Sequence, residues 1–357
     1  MRKHFLDNAR YTIVITVIVY HVFYLFNSVG VIGNLKIQGI PQFDIVEYVL
    51  YPWMMTALFI ISGAGARFAL IKNKKNGKNL KDFMKSKCRH ILLPSIVYIF
   101  AIGWMTGYLS DYYNDVFQGN GDSIPGIFKY LIYCLCGIGP SWFLRQLMVC
   151  FIVLVIVVKL DKNEKFYRLG KKTNLAVLLL MFVPMWLCAQ IGTLPYIEVY
   201  RNGLYIFSFL LGYVVFSQEK TEGLLKKYFW LFAVIAVTAG TVYTIVNYGK
   251  NFAELSNLNS ILTIVYTYFG ALAVISLMKK CFDKEYRFTR FMKIRSFSYY
   301  LLHYPVMALS AYAFDRCFHL APVAMYLSVF AATAVLLPLV SLAIRKIPVI
   351  RTLLLGM

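Results

Sequence analysis

Long apolar stretches separated by short polar ones run the length of the chain. Stretches able to cross roughly 30 Å of hydrocarbon, at about 1.5 Å per helical residue, fall at 11–29, 46–71, 91–109, 142–158, 174–191, 203–217, 229–248, 258–278, 296–314 and 321–344. The pattern predicts an all-α polytopic membrane protein with ten transmembrane helices, the sixth a short one. A further apolar piece at 127–139 is too short for a crossing, and the Gly-Ile-Gly-Pro-Ser-Trp run that starts at Gly137 breaks a helix. It reads as an interfacial or re-entrant segment leading into the fourth span.

Charge placement tests this count, because short cytoplasmic loops collect Lys and Arg. With the N-terminus inside, the six inner segments (1–10, 72–90, 159–172, 218–228, 279–295 and 345–357) hold 30 of the 37 basic residues and the outer ones 5, so both termini are expected to be cytoplasmic. A full crossing at 127–139 would turn the Lys-rich 159–172 and 279–295 loops outwards.

The composition agrees: of 357 residues, 60% are hydrophobic and 15% charged, outside the usual soluble range. A net charge of +21 needs no nucleic acid, since basic loops such as 71–90 lie against an anionic inner leaflet. The N-terminus resembles a secretory signal but has no small-residue cleavage site after His21, so it reads as a retained first span. The odd number of cysteines, seven, shows no disulfide framework or metal-ligand spacing. A single membrane domain over 1–357 with no appended soluble domain is expected, and Gly-Asp-Ser at 121–123 reads as a turn rather than a hydrolase motif.

All sixteen Asp and Glu fall in loops or at span ends, which counts against an ion-coupled transporter with buried carboxylate relays. The ionisable residues left inside the spans are His21, His303, Arg67 and Arg145. Arg10 and His21 are eleven residues apart, so on a helix they differ by about 20° and about 16 Å along the axis. They share a face, with Arg10 at the cytoplasmic surface and His21 near mid-membrane. Ser62 and Gly63 of the second span are expected near that depth, with Arg67 near the inner surface. His303 lies seven or eight residues from the inner end of the ninth span. Arg10, Arg67 and the 87–90 cluster would ring the cytoplasmic mouth. Structural roles compete: a histidine can tether neighbouring helices, a Ser-Gly step can mark close packing, and Arg67 can snorkel to the headgroups.

Together these residues resemble the acyltransferase-3 family of integral-membrane acyltransferases. The resemblance covers most of the chain. It rests on Arg10 and His21, on LFIISG in the second span, on KCRHILLP before the third, on WFLRQL opening the fourth and on YYLLHYPV in the ninth, in family order. The chain departs from the branch with a paired glutamate in the fourth span, where Gln146 and Leu147 stand instead, and is similar to the WFL branch of glucan and exopolysaccharide acetyl- and succinyltransferases. Where the family often has two arginines three apart, Lys87 and His90 flank Arg89.

The resemblance implies an acyl-coenzyme A donor, such as acetyl-coenzyme A, on the cytoplasmic side, no metal, and a carbohydrate or other envelope acceptor in the cell membrane, as in a bacterial inner membrane. Arg10, Arg67, Lys87 and Arg89 would hold the donor, and His21 would act as general base or carry the acyl group as nucleophile. Ser62, Gly63, Trp142, Arg145, Tyr299 and His303 would line the site. Without a carboxylate in the spans, the group orienting His21 must be a hydroxyl, a backbone carbonyl or His303. The competing class is a flippase for a lipid-linked sugar, whose aromatic path would draw on the 17% aromatic content and which would not consume a thioester.

Overall fold

The computed structural model describes residues 3–31, 33, 35–161, 163–195 and 199–357. In chain order the helices are α1 (His4–Tyr24), α2 (Pro41–Lys75), α3 (Leu80–Asn114), α4 (Gly126–Cys136), α5 (Ser141–Leu160), α6 (Lys165–Lys172), α7 (Leu175–Ala189), α8 (Asn202–Phe216), α9 (Glu219–Lys227), α10 (Phe229–Asn247), α11 (Leu255–Leu258), α12 (Ile261–Cys281), α13 (Arg287–Phe318), α14 (Pro322–Lys346) and α15 (Pro348–Leu355). The described strands, Thr193–Pro195 and Val199–Arg201, pair antiparallel with Thr193 opposite Arg201.

The all-α membrane architecture is present, but the count of ten is not. Six described helices, α2, α3, α5, α10, α12 and α14, are long and apolar enough to cross a membrane, or seven if the bent pair α6 and α7 is one span. The fifth predicted span is helical nearly over its expected length, Leu175–Ala189, but that helix is too short to cross alone; Asn174 starts it, its side chain accepting from the Val177 amide at 2.9 Å, after a turn of 108° from α6. The sixth, α8, is short, as the sequence suggests. The third lies inside the longer α3, which absorbs two wide π-helical turns at Cys88–Leu92 and Ile99–Gly103. Most of the expected 279–295 loop is helical, because α13 begins at Arg287. The two helices that carry the histidines, α1 and α13, fall outside the apolar six: α1 opens on Asp7, Asn8 and Arg10, and the uncharged part of α13 is interrupted by Ser, Tyr, His303 and Pro305.

Close packing at small residues fixes the bundle. A Cβ on Gly63 of α2 would stand 1.8 Å from the Phe209 carbonyl oxygen, and one on Gly212 of α8 would stand 2.0 Å from that of Ile60, so the two helices touch backbone to backbone. The short apolar α4 lies against α3 in the same way, at Gly107 and Tyr133. α1 packs against α2, α12 and α13 and buries Ile13, Val14 and Val17 in the largest core cluster, which places one face of α1 at the centre of the molecule.

Candidate active site

His21 projects from α1 into a cavity of about 630 Å3, which it shares with Tyr24, Tyr51, Trp142, Tyr300 and Tyr304. Amides and hydroxyls (Asn27, Asn114, Ser28, Ser110) stand among these rings with one lysine, Lys36, and no carboxylate lines the cavity among the described residues. Residues between α1 and α2 form part of its wall. They are held by a hydrogen bond from Tyr304 Oη to the Gly33 carbonyl (2.6 Å), by Asp44 accepting from Ser28, and by Asn251 Nδ2 donating to the Gly30 carbonyl (3.2 Å).

The orientation of His21 follows from its partners. His303, fully buried on α13, has its Nδ1 2.6 Å from the Tyr300 carbonyl and 3.3 Å from that of Tyr299. A carbonyl can only accept, so His303 Nδ1 carries the proton and the neutral ring presents Nε2 as an acceptor. His21 Nδ1 lies 2.8 Å from the Val17 carbonyl and 3.2 Å from His303 Nε2. Both partners accept, so the neutral His21 ring also carries its proton on Nδ1. The lone pair is left on Nε2. Two of the three orienting groups considered from sequence, a backbone carbonyl and His303, therefore act together.

A second cavity of about 730 Å3 lies at the other end of the same helices. Arg10 and Lys3 reach it from α1 and its start, Lys87 from α3 and Lys293 from α13, with Ser62, Leu147 and Phe297 between them. Arg10 pairs with Asp7, and Lys3 is held by Glu222 at 2.7 Å. Between the two cavities Val14, Phe59, Phe143 and Leu144 are buried, with Phe143 packed on Phe59 (4.9 Å between ring centroids) and on Tyr300 (5.5 Å).

The remaining sequence-derived candidates lie elsewhere. Arg67 makes a two-pronged ion pair with Glu164 (3.1 and 3.2 Å), donates to Tyr213 Oη (3.3 Å) and stacks 3.6 Å over the Tyr167 ring, and it lines neither cavity. That contact holds the Glu164 carboxyl below the usual carboxylate range. Arg89 is exposed and lines neither cavity: two residues past Lys87 it lies towards the opposite side of the helix. Gly63 serves the α2–α8 crossing, whereas Ser62 belongs to the Arg10 cavity rather than to the surroundings of His21. Arg145 donates to Ser141 Oγ (3.0 Å) and Tyr200 Oη (2.7 Å), tying α5 to the second strand. Tyr299 packs with Tyr11, Met292 and Leu337, and its neighbour Tyr300 faces the cavity instead.

Sequence reasoning missed Tyr24, Tyr300, Tyr304 and Lys293. The usable signal was position: Lys293, Phe297, Tyr300, Tyr304 and Ala308 recur at helical spacing along one face of α13.

No curated protein and no solved structure matches the chain. A family model described as an acyltransferase domain matches residues 3–343, nearly the whole chain, including both histidines and the residues of both cavities named above. The protein thus belongs to the acyltransferase-3 family, and is a membrane acyltransferase.

Proposed function

We propose that the protein transfers a short acyl group, acetyl or succinyl, from cytoplasmic acyl-coenzyme A to a hydroxyl of an envelope carbohydrate, with both termini cytoplasmic and the bundle seated in a bacterial inner membrane. The inner cavity, with Arg10 and Lys87, takes the phosphate-bearing head of the donor. The outer cavity, with aromatic faces and neutral amides and hydroxyls, takes the sugar. The pantetheine arm bridges the two, which requires the layer around Phe143 to part.

The observation that carries this reading is that His21, a lining residue of the cavity, has two acceptors at its Nδ1, the Val17 carbonyl and His303 Nε2, an arrangement that leaves the lone pair on Nε2. As general base, Nε2 takes the proton of the acceptor hydroxyl while its oxygen attacks the thioester carbonyl. Collapse of the tetrahedral intermediate breaks the C–S bond, and the departing thiolate takes that proton back from His21. No net proton is consumed, so a site without a carboxylate relay suffices. Sequestering the step between helices keeps water from the thioester.

The test is to incubate the purified, detergent-solubilised protein with acetyl-coenzyme A and envelope glycans, measure thiol release, and follow the glycan mass. Acceptor-dependent thiol release with an added acyl mass on the glycan is expected. Unchanged glycan and no thioester consumption would remove the acyl-coenzyme A reading.

A further inference from the structure

Lys293 stands on α13 as Arg10 stands on α1. Along α13 the residues Lys293 and Phe297 line the inner cavity, and Tyr300, Tyr304 and Ala308 the outer one. A spacing of three or four residues keeps one helix face turned to both cavities. Lys293 and Tyr304 are eleven residues apart, the same interval as Arg10 and His21, about 16 Å along the axis. The two helices pack against each other, and at the far end of that interval the Tyr304 and His21 rings lie 5.6 Å apart. Each helix thus carries a cation at the inner cavity and a ring at the reaction centre.

The charge inventory of the inner end leaves Lys293 without a carboxylate among the described residues. Asp7 pairs with Arg10, Glu222 bridges Lys3 and Lys279, and Asp283 also holds Lys279. Glu219 lies within reach of Lys3, Glu164 binds Arg67 and Glu285 faces Arg290. Asp82 and Asp161 accept from backbone amides at helix starts. Every carboxylate of the inner segments is thereby engaged, while the cavity holds two further cations, Lys87 and Lys293. Lys87 sits among aromatic rings, 5.0 Å from the Phe83 centroid and 4.7 Å from that of Phe151, whereas Lys293 is exposed. An exposed ammonium facing a cavity of excess positive charge suits a phosphate group, which it meets as a point charge.

We propose that Lys293 is a phosphate-binding residue of the donor site, acting from α13 as Arg10 acts from α1, so that the polyphosphate head of the donor is held by both histidine-bearing helices. This rests on reading the inner cavity as the coenzyme A site. It gives the donor site a specificity: the two-helix clamp selects a thioester with several phosphates over one with none.

The experiment is calorimetric titration of coenzyme A and of acetyl-pantetheine, which has no phosphate, into full-length detergent-solubilised wild type, Lys293→Met, Lys293→Arg and Arg10→Ala. Lys293→Met should weaken coenzyme A binding about tenfold, as loss of one charge-assisted contact does, and flatten its dependence on salt. Lys293→Arg should bind close to wild type, and acetyl-pantetheine affinity should not change. If Lys293→Met binds coenzyme A like wild type while Arg10→Ala binds poorly, the inference falls and the donor reading stands. Equal weakening towards both ligands would mark a general distortion and also overturn it. Coenzyme A failing to bind the wild type at all would remove the donor reading and the inference with it.

Discussion

The two cavities share their helices and differ in almost everything else. The inner one is set by charge: Arg10, Lys3, Lys87 and Lys293 around few carboxylates. The outer one, with Lys36 its one cation among the described lining residues, is set by shape and hydrogen bonding: tyrosines, a tryptophan, neutral amides and one oriented histidine. The inner end therefore does work that tolerates displacement, since a phosphate is attracted from several ångströms away and by several cations. At the outer end a proton must pass between atoms at hydrogen-bond distance, so a single misplaced ring stops the reaction. Losses at the outer cavity should accordingly fall on kcat and be large, whereas losses at the inner cavity should fall on the KM for the donor and be moderate.

The largest effect is expected at His21. Replacing it with Ala removes the base and should lower kcat by about 10³-fold or more, measured as thiol release from acetyl-coenzyme A at saturating donor. A comparable rate in His21→Ala would place the proton transfer on another group. Next comes His303, whose Nε2 accepts from His21 at 3.2 Å while the Val17 carbonyl remains as a second partner. Because that second partner survives, His303→Ala should cost about tenfold in kcat, a part of the usual range for acid–base catalysis. The donor KM should hold and the acidic limb of the pH–rate profile should move. A merely structural His303 would instead lower the amount of folded protein and leave that limb in place.

Arg10→Ala should raise the donor KM about tenfold with kcat little changed, the signature of lost uniform binding. If kcat falls and KM does not, the division between the two ends is wrong. The smallest effect belongs to Arg67, which is spent on Glu164 and Tyr167. Arg67→Ala should leave the donor KM within about twofold and slightly lower the melting temperature at neutral pH. Since Arg67 depresses the Glu164 carboxyl, the pair stabilises above the ordinary carboxylate pKa and loses its effect as the pH falls through the lowered one. The wild-type advantage over Arg67→Ala should therefore shrink on acidification.

The pairing of Arg10 with His21 was legible because both residues are ionisable, lie on one helix and are related by a fixed interval. Arg67 was not, because its partner Glu164 is 97 residues away and only the tertiary fold brings them together. The outer cavity was half legible. His303 stood out in an apolar run, but Tyr299 and Tyr300 are adjacent and alike, and only the longer spacing from Lys293 to Ala308 along α13 distinguishes the one that faces inwards. The family could be read from the order of its motifs. The number of spans could not, because the helices at four of the ten places are too polar (α1 and α13) or too short (α7 and α8) to count as apolar crossings by themselves.

The central claim is that His21 is held by Val17 and His303 so that its Nε2 acts as the base. Its most direct test is His21→Gln, assayed for acyl transfer and for thermal stability in detergent on the same preparation. Glutamine can still donate to the Val17 carbonyl and His303 but cannot take up a proton at neutral pH. The account predicts a melting temperature near wild type with acyl transfer at background, whereas near-normal transfer by His21→Gln would contradict it.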